Sequence, residues 1–521
     1  MTEVEPAVDA ELEAQSEHSP CDEQTRPAHP VWQWLTGDPT VRRSTVAAWV
    51  LLAALSIAAI GSILAWDHTD HPLTADEPSY LLPALSLAGD GHNLSYDPSD
   101  GSAWRDLGVQ SMPNVYGVFF RTSDEGYMIG KPYGYPLYLS PFIAVFGFGT
   151  GLSIANSMLL ATLIGLGLAI LRTRYRGPTV PLLCAAFVFA SPIYLYAYAV
   201  SVELFFATLV AAVTLGHVRW WATRRWRWAA FAFVVTGLVA AEKPPLALVL
   251  LVPALVTMWS SPDWRRRVLG PVLVGCALVA AVSPYLYYSG GDSYTPYATP
   301  RYYAKTDVFS NVPIGQFLEA VADPERVEEV RTLVGTVPST PFDPGDFVDR
   351  VTAAPEEVPK SLFHYVTGRH TGLMVWTPLA LFALVAALGR LRRLDWMARA
   401  LLGAVLAYIG LYVVAFTDNY FGGGHSLGNR YFLQASPLVL GLLAHLGWSV
   451  RRASVMAGSA LAISALLLFQ HHLDPHRAYL EIDRTSPIQR LFPFETSQAP
   501  TSEFRCTAAY GYAFPCTFET P

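Results

Sequence analysis

The chain has 521 residues, of which 52% are hydrophobic and 15% charged, with a formal net charge of −7. Soluble globular domains carry nearer 25% charged residues, so this balance excludes an ordinary soluble protein. The negative charge is concentrated in residues 1–40, which hold nine acids and one arginine, while the remainder is close to neutral and offers no basic domain suited to nucleic acid.

Residues 1–40 are acidic, contain proline and show little apolar periodicity, which predicts a disordered cytoplasmic tail. They lack the short basic start of a cleavable signal peptide. A transmembrane domain is expected over residues 41–470. The stretch from Val46 to Trp66 is apolar and long enough to cross a bilayer. With 46–66, further spans are predicted at 149–171, 179–197, 200–218, 228–241, 245–260, 268–288, 371–389, 398–416, 432–448 and 454–470, about eleven helices in all. Two of the breaks rest on particular residues. Pro192 and the tyrosines Tyr194, Tyr196 and Tyr198 suggest a turn at the membrane interface within 179–218. Glu242-Lys243-Pro244-Pro245 divides 228–260 into a hairpin of short helices, with Glu242 and Lys243 expected to pair locally.

With both breaks in place, the clusters Arg42-Arg43, Arg172/Arg174/Arg176, Arg219/Arg224/Arg225/Arg227, Arg265-Arg266-Arg267, Arg390/Arg392/Arg393/Arg399 and Arg451-Arg452 fall on one side. The positive-inside rule makes that side cytoplasmic, with the N-terminus inside and the C-terminus outside. The expected class is an all-α polytopic protein of the cytoplasmic membrane with large extracytoplasmic loops. Those outer pieces are 67–148, with ten acids against three basic residues up to position 135; 289–370; the Gly-rich 417–431; and the tail 471–521. Long loops above a bundle suit catalysis or recognition. No internal repeat is visible, which weighs against an inverted-repeat transporter. The five cysteines show no metal-ligand spacing. Cys506 and Cys516 either close a short disulfide loop or remain two free thiols.

Chemistry points first to Asp76-Glu77, directly after the opening span. Thr74 and Glu77 match a capping box, which would make Glu77 a cap and Asp76 a first-turn acid favoured by the helix dipole. The functional alternative makes Asp76 a general base that takes a proton from an acceptor hydroxyl. Lys131 follows in Gly130-Lys131-Pro132-Tyr133-Gly134-Tyr135-Pro136, where two prolines and two glycines dictate an irregular backbone. It either snorkels toward lipid head groups or binds phosphate as a point charge. Glu203 lies just inside an outer helix end, where an intramembrane acid is costly and functional unless it serves only to pair with a neighbouring cation. Arg430 has the same two readings as Lys131. His425 follows three glycines and is either solvated or in contact with phosphate or sugar. Asp76, Glu77 and a histidine could hold a divalent cation, although no ligand spacing supports one.

An opening span, then Ala75-Asp76-Glu77-Pro78 with Tyr80-Leu81, then a Lys131-Pro132-Tyr133-Gly134-Tyr135-Pro136-Leu137 turn into an apolar stretch, resembles the GT-C glycosyltransferases. The likeness is greatest to bacterial relatives of the dolichyl-phosphate-mannose protein mannosyltransferases and of the aminoarabinose transferases that modify lipid A. It covers most of residues 46–450. It is specific in the first loop and looser at Glu203, at Gly372 to Pro378 and at Gly428 to Leu433; the 289–370 loop and the tail match no family segment. The resemblance implies a GT-C-like bundle and a sugar donor carried on a polyprenyl phosphate. It also implies Asp76 as catalytic base, Glu77 as a supporting or sugar-binding neighbour, and Lys131 and Arg430 as ligands of the lipid phosphate. Glu203, His425, Tyr133 and Lys243 become candidates for substrate contact. The acceptor would be a hydroxyl on a glycan, lipid or protein. A flippase for lipid-linked sugars would place charges deep within several spans, and a non-catalytic scaffold would tolerate loss of Asp76.

Overall fold

Proline placement decides where most of the short helices in this bundle begin. The computed structural model describes residues 39–66, 77–89, 95–96, 119–123, 126–129, 131, 133–261, 263–288, 301–304, 334–337, 357–416, 420–422, 427–475 and 485–493. Most of the expected acidic tail, residues 1–38, and the paired cysteines Cys506 and Cys516 lie outside these described residues.

Helix α1 runs Pro39–Ala65 and α2 Glu77–Ala88, followed by strands β1 Ser95–Tyr96, β2 Phe119–Ser123 and β3 Gly126–Ile129. Then come α3 Gly134–Phe146, α4 Phe148–Leu171, α5 Thr179–Phe189, a 3-10 helix Pro192–Tyr198, α6 Val202–Thr223, α7 Trp226–Glu242, α8 Pro244–Trp259 and α9 Trp264–Tyr288. Strands β4 Arg301–Ala304 and β5 Val334–Val337 precede α10 Glu357–Thr367, α11 Leu373–Trp376 and α12 Pro378–Leu388. The chain continues through α13 Trp396–Ala415, α14 Arg430–Ala435, α15 Pro437–Leu446, α16 Val450–Leu467 and α17 Phe469–Leu473.

Among the described residues six helices are long and apolar enough to cross a membrane: Arg43–Ala65, Phe148–Leu171, Val202–Thr223, Trp264–Ser283, Trp396–Ala415 and Val450–Leu467. The chain is a multi-pass membrane protein. A seventh candidate span is α5 with the 3-10 helix, bent by 58° between them. Helices stand at the other predicted positions too: α7 and α8 cover 228–241 and 245–260 nearly end to end, while 371–389 and 432–448 are each split in two. Pro244, Pro378 and Pro437 each open a helix at its first position. There the missing N–H is not needed, and before Pro244 and Pro378 the chain has left helical geometry, at Lys243 and Thr377. The stretch 371–389 therefore becomes α11 and α12, and 432–448 becomes α14 and α15.

The break expected at Pro192 is present, between α5 and the 3-10 helix, and the tyrosines that follow it turn inward. Tyr194, Tyr196 and Tyr198 are all buried. Each hydroxyl finds a partner inside the bundle: Tyr194 with His472 Nδ1, Tyr196 with the Leu427 amide at 3.0 Å, and Tyr198 with the Ala59 carbonyl at 3.4 Å. A tyrosine whose hydroxyl is satisfied internally gains nothing by sitting at the lipid boundary. Asn156 on α4 locks the exit of this segment. Its Nδ2 donates to the carbonyls of Ala197 and Ala199 at 3.1 and 3.0 Å, and its Oδ1 accepts from the Tyr135 hydroxyl at 2.9 Å.

Among the described residues the two large loops contribute a five-stranded antiparallel sheet in the order β1-β3-β2-β4-β5. The helical class is as the sequence predicts; this sheet is an addition confined to the two large loops. Its centre joins them, with Phe119 opposite Tyr303 and Phe120 opposite Tyr302. At the other end of the bundle the arginine-rich helix ends meet. Arg219 donates to the Ala169 carbonyl and Arg390 to the Leu446 carbonyl, while His445 pairs with Asp395 at 2.8 Å.

Replacing Asn156 by Ala strips three buried groups of a partner at once. Thermal unfolding of the purified protein should reveal a loss of about 1–3 kcal/mol, whereas an unchanged melting temperature would show that the 3-10 segment is held by other contacts.

Candidate functional site

Five helix ends converge opposite the arginine-rich face: the starts of α2, α3, α6 and α14 and the end of α7. Each carries a charged or strongly polar group into an apolar interior, so each needs a partner.

Glu203 and Arg430 supply the central pair. Glu203 lies in the first turn of α6 and is 2% exposed; Arg430 opens α14 and is 8% exposed. Arg430 Nε lies 2.6 Å from Glu203 Oε1. The Gln434 side chain, one turn along α14, donates to the same oxygen at 3.3 Å, and the Ser201 hydroxyl donates to Oε2. Arg430 therefore does not snorkel toward head groups; it is drawn inward by a carboxylate that cannot remain unpaired there.

Local backbone fixes where Arg430 stands. Its amide donates to the Phe421 carbonyl at 2.9 Å. Gly422 has φ +109°, and a Cβ there would come within 2.9 Å of Arg430 Cβ, so only glycine allows the loop this close. Asn429 caps α14, its Oδ1 accepting from the Phe432 amide at 2.9 Å.

Glu77 enters from α2. It is buried, and its Oε1 accepts from the Val200 amide at 2.9 Å. That bond ties the start of α2 to the extended residues that lead into Glu203. Asp76, His425 and the capping residue Thr74 lie outside the described residues.

Lys131 occupies a half-buried bend just before α3. Tyr133 follows, buried, with its hydroxyl donating to the Ala281 carbonyl of α9, so this side chain anchors the turn. Helix α3 has no side-chain cap of its own. Instead Glu242, from the end of α7, accepts from the Gly134 amide at 2.9 Å. Lys243, the next residue, lies 4.9 Å from the Tyr431 ring and 5.7 Å from the Phe206 ring. Glu242 thus reaches to another helix, contrary to the expected local pairing with Lys243. At the α7–α8 junction Lys243 adopts φ −143° and ψ 80°, and the two neighbouring side chains serve different helices.

The structure so brings together Glu77, the Lys131 turn, Glu203, Lys243 and Arg430. Sequence reasoning passed over Gln434, Asn429 and Ser201. Their one legible signal is proximity to Arg430 or Glu203 along the chain. Asn429 Nδ2 and Gln434 Oε1 are buried without a protein partner, which leaves a donor and an acceptor beside the ion pair. Among the described residues no group of three or more His, Cys, Asp or Glu side chains is placed to hold a metal ion.

No family model matches the sequence, and no curated protein does. Among solved structures, the chain is similar to the apo crystal structure of ArnT from Cupriavidus metallidurans, at 16% identity and a TM-score of 0.44, over 84% of this chain and 68% of that one. It is similar also to the same protein bound to undecaprenyl phosphate, at 15% identity and a TM-score of 0.44, over 83% and 68%.

Glu203→Ala leaves the Arg430 guanidinium buried without its carboxylate and should cost about 3–5 kcal/mol in thermal unfolding. The double replacement Glu203→Leu with Arg430→Met should recover most of that loss. A single variant as stable as the wild type would mean that the pair is not held in the interior.

Proposed function

We propose that this chain is an inverting, membrane-embedded glycosyltransferase of the GT-C type. It moves a sugar from a polyprenyl-phosphate donor to a hydroxyl on a glycan, lipid or protein at the outer face of the cytoplasmic membrane. The observation that carries this reading is the convergence of the Lys131 turn, Arg430 and Glu77 on one end of the bundle. These are the segments singled out by the first-loop motif and its looser partner at Gly428 to Leu433.

In this reading the acceptor hydroxyl attacks the anomeric carbon while Asp76 removes its proton. Polyprenyl phosphate departs from the opposite face, and the bond to the anomeric carbon inverts. Lys131 and Arg430 offset the charge that grows on the departing phosphate, an effect that is strongest where water is excluded. One catalytic carboxylate suffices for a single displacement, in contrast to the paired acids of a retaining glycosidase. Glu77 holds its segment to the Val200 amide, and so sets the position of the neighbouring Asp76. Glu203 keeps Arg430 in place, and Lys243, Tyr133 and His425 border the substrate. The arginine clusters face the cytoplasm, with the N-terminus inside and the C-terminal tail outside.

A flippase is the second reading, favoured by the buried Glu203–Arg430 pair and by the 58° bend between α5 and the 3-10 helix. The two readings part on chemistry: a flippase moves the lipid-linked sugar and forms no new glycosidic bond.

Mass analysis of cell-envelope glycans, glycolipids and glycoproteins, with and without this chain, should reveal a glycosylated product that disappears. Asp76→Asn should lower product formation by about 10²–10⁴-fold, the usual contribution of a general base, while binding of undecaprenyl phosphate persists. Turnover near the wild-type level would remove Asp76 from the mechanism. Labelling from outside should reach a cysteine introduced near residue 330 and spare one near residue 224; the reverse pattern would overturn the topology.

A further inference from the structure

The turn between α7 and α8 lies against both segments that the proposed function assigns to the lipid phosphate. Glu242 is 5% exposed and faces the start of α3. Its carboxylate accepts from the Gly134 amide at 2.9 Å and from the Tyr133 backbone as well. The fit is tight: a Cβ on Gly134 would lie 3.0 Å from Glu242 Cδ and 3.1 Å from Oε1, so the carboxylate would have to give way. Lys243 meanwhile lies 4.9 Å from the ring of Tyr431, the residue after Arg430.

We infer that Glu242 is a positioning residue for Lys131. Helix α3 starts without a cap of its own, so its first amides point at whatever carboxylate the fold supplies. Fixing the Tyr133 and Gly134 amides fixes the peptide that follows Pro132. Lys131 stands two residues before the first of these amides, so the short connection carries that fixed point toward the lysine. Glu242 is separated from Lys131 by these residues and touches no reacting atom; it acts by aiming the lysine. The same turn packs Lys243 beside the Arg430 helix, so the two cations that flank the phosphate are referenced to one rigid pair of residues ahead of Pro244-Pro245. A misplacement on the order of 1 Å at such a distance is enough to cost about 10²-fold in a positioned reaction.

This inference rests on the donor-phosphate reading, and its test separates the two. The probe is undecaprenyl phosphate, titrated into the full chain in nanodiscs, with inorganic phosphate as the control for a free anion. Wild-type protein should bind the lipid and not the free ion. Glu242→Ala and Gly134→Ala, which remove the carboxylate and push it aside respectively, should each weaken lipid binding by about tenfold or more; Glu242→Ala should lower the melting temperature as well, because two amides lose their acceptor. Lys131→Ala should weaken binding as well, and Glu242→Ala should add nothing further on top of it, because coupled residues are not additive. Undiminished binding in Glu242→Ala and Gly134→Ala, or full additivity with Lys131→Ala, overturns the positioning role and leaves the donor reading intact. Failure of the wild type to bind the lipid overturns both. Should Glu242→Ala not fold, Gly134→Ala decides by the same comparison.

Discussion

A charge inside an apolar bundle must be paired, and this constraint organises the end of the molecule opposite the arginine-rich face. Removing an ion from water costs several kcal/mol even after relaxation. The Glu203 carboxylate meets that cost with Arg430, Gln434 and Ser201. The consequence reaches the backbone. Helix α14 has six residues, too few to hold a helix by itself in water. It stands because its first side chain is bound to α6, its cap is Asn429, and the loop before it passes over Gly422. The same logic applies at α3, whose start is satisfied by a carboxylate from a distant helix. Polar ends that would each be destabilising alone become mutual supports.

Much of the membrane part was legible in the sequence because hydrocarbon imposes a simple requirement on composition and length. Helices occur at the predicted stretches, and Pro244 and Pro245 divided 228–260 as expected. The shortness of α12 and α15 was also encoded, in Pro378 and Pro437, but a window of apolar residues does not register a single broken turn. The break at Pro192 was legible as well, but the burial of its tyrosines was not. An aromatic belt and a buried aromatic plug have the same composition, and the difference lies in partners such as Leu427 and His472 that approach from far along the chain.

The candidate site was legible by residue type more than by contact. Glu203 stood out as an acid within a span, and Arg430 as a cation at a helix end. That each is the other's partner depends on how α6 and α14 pack, which no local pattern states. Glu242 and Lys243 show the limit most clearly. As neighbours of opposite charge they invited a local pairing, yet tertiary packing sends one to the Gly134 amide and the other to the Tyr431 ring. The sheet was hidden because its strands are two to five residues long. The residues between β2 and β3, Asp124-Glu125, are also not the Asn-Gly or Asp-Gly pair that marks a tight hairpin.

That sheet makes the outer layer a mechanical linkage. Strand β3 ends at Ile129, two residues before Lys131, and it is laced through β2 to β4 of the second loop. A tug on the second loop is therefore felt beside the lysine. Because side chains alternate along a strand, a slip of one residue at the β2–β4 seam would turn every facing group over. Two stretches of chain separated by seven α-helices and a 3-10 helix are thus joined in one sheet, and a change at the seam in either bears on the other.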